Sequence, residues 1–82
     1  MSEPTVTFSL GADHAAQMRT TLGVVYDALR EKGYDPVSQI VGYILSGDPT
    51  YITSHKDARS IIKKFDRDEL MEEIITSYIG DL

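Results

Sequence analysis

The 82-residue chain contains no cysteine and no tryptophan, and only three prolines and two histidines. Without cysteine there is no disulfide, no thiolate metal site and no thiol nucleophile, and the composition fits a cytoplasmic protein. No apolar run approaches the roughly 18 residues of a membrane span. The start, MSEPTVTF, lacks the basic region followed by an apolar stretch that marks a secretory signal, so no membrane insertion is expected. Base is scarce as well. Eight Lys and Arg face thirteen Asp and Glu, a net charge of −5, which argues against nonspecific nucleic-acid binding. The length suits one domain near the lower limit for a self-sufficient core, and such cores often complete themselves by oligomerising.

The charge that is present is unevenly placed. Residues 1–52 carry 3 basic and 6 acidic groups, residues 53–67 carry 5 and 2, and residues 68–82 carry 5 acids and no base. The basic block is flanked by acid on both sides, which leaves room for one anion or one acidic partner rather than a polyanion.

The chain is organised around Gly33 to His55, GYDPVSQIVGYILSGDPTYITSH. Asp35 is a good N-cap and Pro36 suits the first helical position. Val37, Ile40, Val41, Ile44 and Leu45 recur at helical spacing and fall within a stripe of about 140°. Gly47 can take the left-handed conformation past the last turn, and Asp48-Pro49 forbids continuation. The resulting helix is too short to survive alone, so other elements must cover its stripe.

Residues 1–12 read as a flexible N-terminal arm, with Val6, Phe8 and Leu10 alternating with Thr5, Thr7 and Ser9 in a short extended pattern. The helical domain is residues 13–82. Asp13 can cap a first helix reaching about Lys32, with Met18, Leu22, Val25, Tyr26 and Leu29 on one face and Gly33 as its stop. Beyond Pro49, Tyr51 and Ile52 fold back over the core. Ser54 and Asp57 resemble a capping box for a helix carrying Ala58, Ile61, Ile62 and Phe65. Asp66 and Glu69 form a second cap-like pair, and Leu70 to Ile79 form a last helix ended by Gly80. The apolar face of this last helix spans roughly 180°, wider than a surface helix needs. Either the helix is deeply buried or it meets a second copy of the chain.

Chemistry-bearing patterns are sparse. Gly42 and Gly47 have the spacing of a phosphate-cradling loop, but Asp48-Pro49 stands where Lys and Ser or Thr are required, so capping and close helix contact explain them. His14 and His55 have no metal-ligand spacing and read as solvated helix-start residues. Adjacent Glu72 and Glu73 point apart on a helix. No catalytic residue, metal site or cofactor is expected. If residues 55–67 are helical, Lys56, Arg59, Lys63 and Arg67 fall within about 80° of each other, opposite the apolar face. That arrangement is a solvated face or a partner- and anion-binding ridge. Thr5 and Thr7 could accept a phosphate, which would add about −1.5 to −2 charge and three strong acceptors.

The stretch Lys32 to Ile75, with GYDPVSQIVGYILSGDPTYI at its centre, closely resembles the IreB-type regulatory phosphoproteins of Gram-positive Firmicutes. The first helix agrees through VYDALREKGY, and the arm agrees through Thr5, Val6, Phe8 and Leu10. The resemblance implies a compact, mainly helical homodimer without enzymatic activity. It implies a substrate of a membrane Ser/Thr kinase and of the opposing phosphatase, which regulates peptidoglycan synthesis and tolerance of cell-wall antibiotics. In some members regulation works through proteolysis of an early peptidoglycan-synthesis enzyme by a Clp protease, making that protease or its adaptor a partner. Thr5 matches the family phosphoacceptor and Thr7 is a second candidate. The family's basic positions match Arg59, Lys63, Lys64 and Arg67, while Ser54 stands where some members have Arg.

These readings converge on an all-α fold, a compact bundle of about four short helices with an extended N-terminal arm, assembled as a homodimer. The alternative is a small helix-turn-helix-like DNA-binding repressor, using the helix from Lys56 to Arg67 in the major groove.

Overall fold

A computed structural model describes the backbone of residues 2–80 and the side chains of residues 13–80. Four α-helices, α1 (Ser2–Glu31), α2 (Pro36–Ser46), α3 (Ala58–Ile62) and α4 (Arg67–Gly80), pack with two 3-10 turns between α2 and α3. The described residues contain no strand. The all-helical class expected from the periodicity is the one observed.

Helix α1 ends where the sequence places its stop. Gly33 takes φ +86°, the Gly33 N–H donates to Arg30 O at 3.0 Å and the Tyr34 N–H donates to Leu29 O at 2.9 Å. This pair of bonds closes the helix with a left-handed glycine just beyond it. The short loop then delivers Asp35, whose Oδ1 accepts from the Val37 and Ser38 N–H groups at 3.1 and 3.3 Å. Pro36 occupies the first turn, and Gly47 at φ +75° returns its N–H to Tyr43 O at the far end. Asp48 caps the turn Pro49–Tyr51 by accepting from the Thr50 N–H at 3.0 Å. That turn lays Tyr51 across Gly42 and drives Ile52 into the interior.

The core forms where α2, α3 and α4 meet α1. Val25, Ala28, Leu29, Ile52, Ala58, Ile62 and Leu70 are fully buried, with Met18 and Tyr43 nearly so. Each buried branched side chain contributes about 1.5–3 kcal/mol relative to exposure. Leu22, Ile40, Ile44, Ile61 and Phe65 pack around them.

Several expectations are corrected. Helix α1 starts at Ser2, so Asp13 lies inside it rather than capping it, and residues 5–10 carry helical rather than extended backbone. The Ser54–Asp57 capping box is absent, because neither side chain makes a cap bond. Lys56 and Asp57 instead take left-handed conformations at φ +54° and +61°. The continuous helix assumed over residues 55–67 does not form. α3 has five residues, and a turn separates it from α4. The DNA-binding alternative loses its recognition helix for this reason. The Asp66–Glu69 pair survives in part, with Glu69 Oε1 accepting from the Asp66 N–H at 3.3 Å.

Candidate functional site: an apolar groove and the basic residues

Two surface features arise from this packing. The first is a groove of roughly 440 Å³ between α1, α2 and α4. Its walls are almost wholly hydrocarbon, with Leu22 and Tyr26 from α1, Val37, Val41 and Leu45 from α2, and Met71 and Ile74 from α4. The groove exists because the stripe of α2 is too broad for α1 to cover. One edge, Ile40 and Ile44, packs on the core, while Val37 and Leu45 remain 63% and 74% exposed. Helix α4 continues the surface outward through Ile75, Tyr78 and Ile79, all exposed. Deep burial of the last helix within the chain is therefore excluded as the reason for its wide apolar face. Exposed hydrocarbon on this scale is more than scattered surface residues account for.

The second feature is the basic block, which the fold distributes rather than aligns. Lys56 sits in the left-handed turn ahead of α3, and its Nζ lies 2.7 Å from Glu31 Oε2. His55 Nε2 meets the other oxygen of the same carboxylate at 2.8 Å. Arg59, on α3, donates from Nε to Ile52 O at 2.8 Å. Arg67, at the start of α4, donates from Nη1 to Ile44 O at 2.9 Å. Lys63 and Lys64 lie in the turn between α3 and α4 and are exposed. Lys64 also borders a depression between α1 and α3. Three of the five candidate ridge residues thus tie the chain together as well as carrying charge. Sequence reasoning missed these ties, because nothing local marks Ile44 O or Ile52 O as a partner.

Electrostatics follow the contacts. The Lys56 ammonium, then the His55 ring, hold the Glu31 carboxyl below the usual carboxylate range, and Glu31 in turn raises Lys56. Glu73 is lowered by Arg19, whose Nε lies 2.8 Å from its Oε2, and by the Ser77 hydroxyl. Asp48 is lowered by the Thr50 hydroxyl and N–H. Glu72 and Glu73 do diverge, with Glu73 bridging to α1 and Glu72 exposed. The histidines are not simply solvated. His14 stacks edge-on against Phe65 with ring centroids 5.3 Å apart, and its Nε2 lies 3.5 Å from Glu69 Oε2. Gly42 and Gly47 serve close contact and capping as expected.

Thr5 and Thr7 fall on the first part of α1, where side chains lie outside the described residues. Among the described residues, no helix is long and apolar enough to cross a membrane, and no group of three His, Asp or Glu could hold a metal ion. A family model described as IreB regulatory phosphoprotein matches residues 3–80. The match takes in both threonines, the whole groove and all five basic residues.

Proposed function

Because the chain belongs to the IreB regulatory phosphoprotein family, we propose that it is a non-enzymatic, cytoplasmic switch, phosphorylated on Thr5 by a membrane Ser/Thr kinase and reset by the opposing phosphatase. Thr7 is the second acceptor. The regulated process is peptidoglycan synthesis, and with it tolerance of cell-wall antibiotics. A route consistent with the family is control of a Clp protease or its adaptor acting on an early peptidoglycan-synthesis enzyme.

The observation that carries this reading is the family match over residues 3–80, which includes Thr5. Physical chemistry supplies the rest of the scheme. A phosphate adds about −1.5 to −2 charge to a segment of modest charge, enough to remake its contacts with cations. Lys63 and Lys64, both exposed, offer such cations to a partner or to the modified segment. Two copies joined groove to groove would cover the hydrocarbon left bare by α2 and α4.

The test is replacement of the chromosomal copy by Thr5→Ala. Tolerance of a cell-wall antibiotic is expected to differ between variant and wild type at equal protein level. Equal tolerance in the two strains would contradict the proposal.

A further inference from the structure

The segment joining Ile52 to α3 holds two consecutive non-glycine residues in the left-handed region, Lys56 at φ +54° and Asp57 at φ +61°. Such a pair is uncommon, because the Cβ of an L-residue crowds the following carbonyl there. Residues kept in that region persist only where surrounding contacts over-determine them. The contacts here are specific. Glu31, at the end of α1, grips the segment with both carboxylate oxygens, one on His55 Nε2 at 2.8 Å and one on Lys56 Nζ at 2.7 Å. Asp27, one turn earlier on α1, adds its charge to the attraction on Lys56. Ile52 and Ala58 are fully buried and fix the two ends, whereas Ser54, Lys56 and Asp57 between them are exposed.

The same residues have a second favourable conformation. Nothing in Ser54-His55-Lys56-Asp57 breaks a helix, and Ala58 to Ile62 already forms one. With Lys56 and Asp57 right-handed, α3 would gain about a turn at its start. Lys56 and Lys63 would then lie about 20° apart around the helix axis, with Arg59 beside them. In the observed state Lys56 is bound to Glu31 instead.

We propose that residues 54–57 form a two-state hinge, and that Glu31 is the catch that holds its kinked state. Releasing the catch relieves the left-handed pair, extends α3 toward its N-terminus and brings Lys56 onto the face of Arg59 and Lys63. The hinge stands on backbone geometry and the Glu31 contacts. Its use in regulation rests on the proposed role of the basic residues, so the two are tested separately.

The experiment is NMR on the full chain, comparing wild type with Glu31→Ala and Glu31→Gln. Backbone Cα and Cβ shifts of Lys56 and Asp57 read the hinge, and the methyl signals of Val25, Leu29 and Ile62 report an intact core. In wild type the two residues are expected to show left-handed shifts. In Glu31→Ala they are expected to move to helical values, with slowed amide exchange at the start of α3. Glu31→Gln keeps the side-chain shape without the charge and is expected to fall between. Left-handed shifts retained in both variants would overturn the hinge, as would helical shifts in the wild type. Antibiotic tolerance of a strain carrying Lys56→Ala reads the regulatory use. Unchanged tolerance alongside a moving hinge would reject that use and leave the hinge standing.

Discussion

An ideal Cβ on Gly42 would come within 3.0 Å of three carbons of the Tyr51 ring, so this glycine is there to let the turn Pro49–Tyr51 close onto α2. Alanine in a helix interior normally gains about 1 kcal/mol over glycine. Overpacking a filled contact costs about 1–3 kcal/mol. Gly42→Ala is therefore expected to lower stability by up to about 2 kcal/mol. In a Tyr51→Ala background, where the ring is gone, the same change is expected to stabilise. Denaturant unfolding of the double-mutant cycle checks the change of sign. Gly47 plays a different part, since its φ of +75° is itself the cap that ends α2.

Among elements, α2 was legible in full and the segment before α3 was not. Helix α2 announces itself locally, because Asp35, Pro36, the apolar spacing and Gly47 all lie in the element or directly flank it and each acts on its neighbours. The kink at Lys56-Asp57 has no glycine to mark it, and its holding group, Glu31, is 25 positions away. Local pattern therefore favoured a continuous helix that tertiary contacts override. The alignment expected of the basic ridge fails with that helix. The start of α1 was misplaced for a related reason, since alternating Thr and apolar residues at 5–10 suit extended backbone better than helix. Because Asp57 makes no cap bond with its side chain, Asp57→Gly is expected to raise stability by about 0.5–1 kcal/mol through relief of the left-handed conformation. An increase in melting temperature checks it. The ion pairs that tie elements together predict a pH dependence. Folded-state values for Glu31 and Glu73 lie below their ordinary ones, so these contacts stabilise above the unfolded carboxylate value and are lost as pH falls through the folded one. Lys56 is raised, so its half of the Glu31 contact is lost only when strong base passes that raised value. The melting-temperature gap between wild type and a Glu31→Gln, Glu73→Gln variant is expected to be constant near neutrality and to close in acid. Both contacts are at the surface, so the gap is small.

The described residues present more hydrocarbon than the four helices cover among themselves. Val37, Val41, Leu45, Ile74, Ile75 and Tyr78 are exposed in the single chain, and the proposal is that a second copy sits in the groove between α1, α2 and α4. Val41→Glu, at a position 47% exposed and outside the core, is expected to shift a dimer to monomer in sedimentation velocity while leaving the helical circular-dichroism signal intact. A wild type that is monomeric at every concentration would refute groove-to-groove pairing. Apart from assembly stand the family membership, which makes the molecule a regulatory phosphoprotein, and the proposal that Thr5 carries the phosphate. The most direct measurement is site mapping by mass spectrometry, on protein incubated with the cognate membrane Ser/Thr kinase and on protein from growing cells. Phosphate on Thr5, removed by the opposing phosphatase and absent from Thr5→Ala, is the predicted result; a chain left unmodified at both Thr5 and Thr7 in both samples would contradict the account.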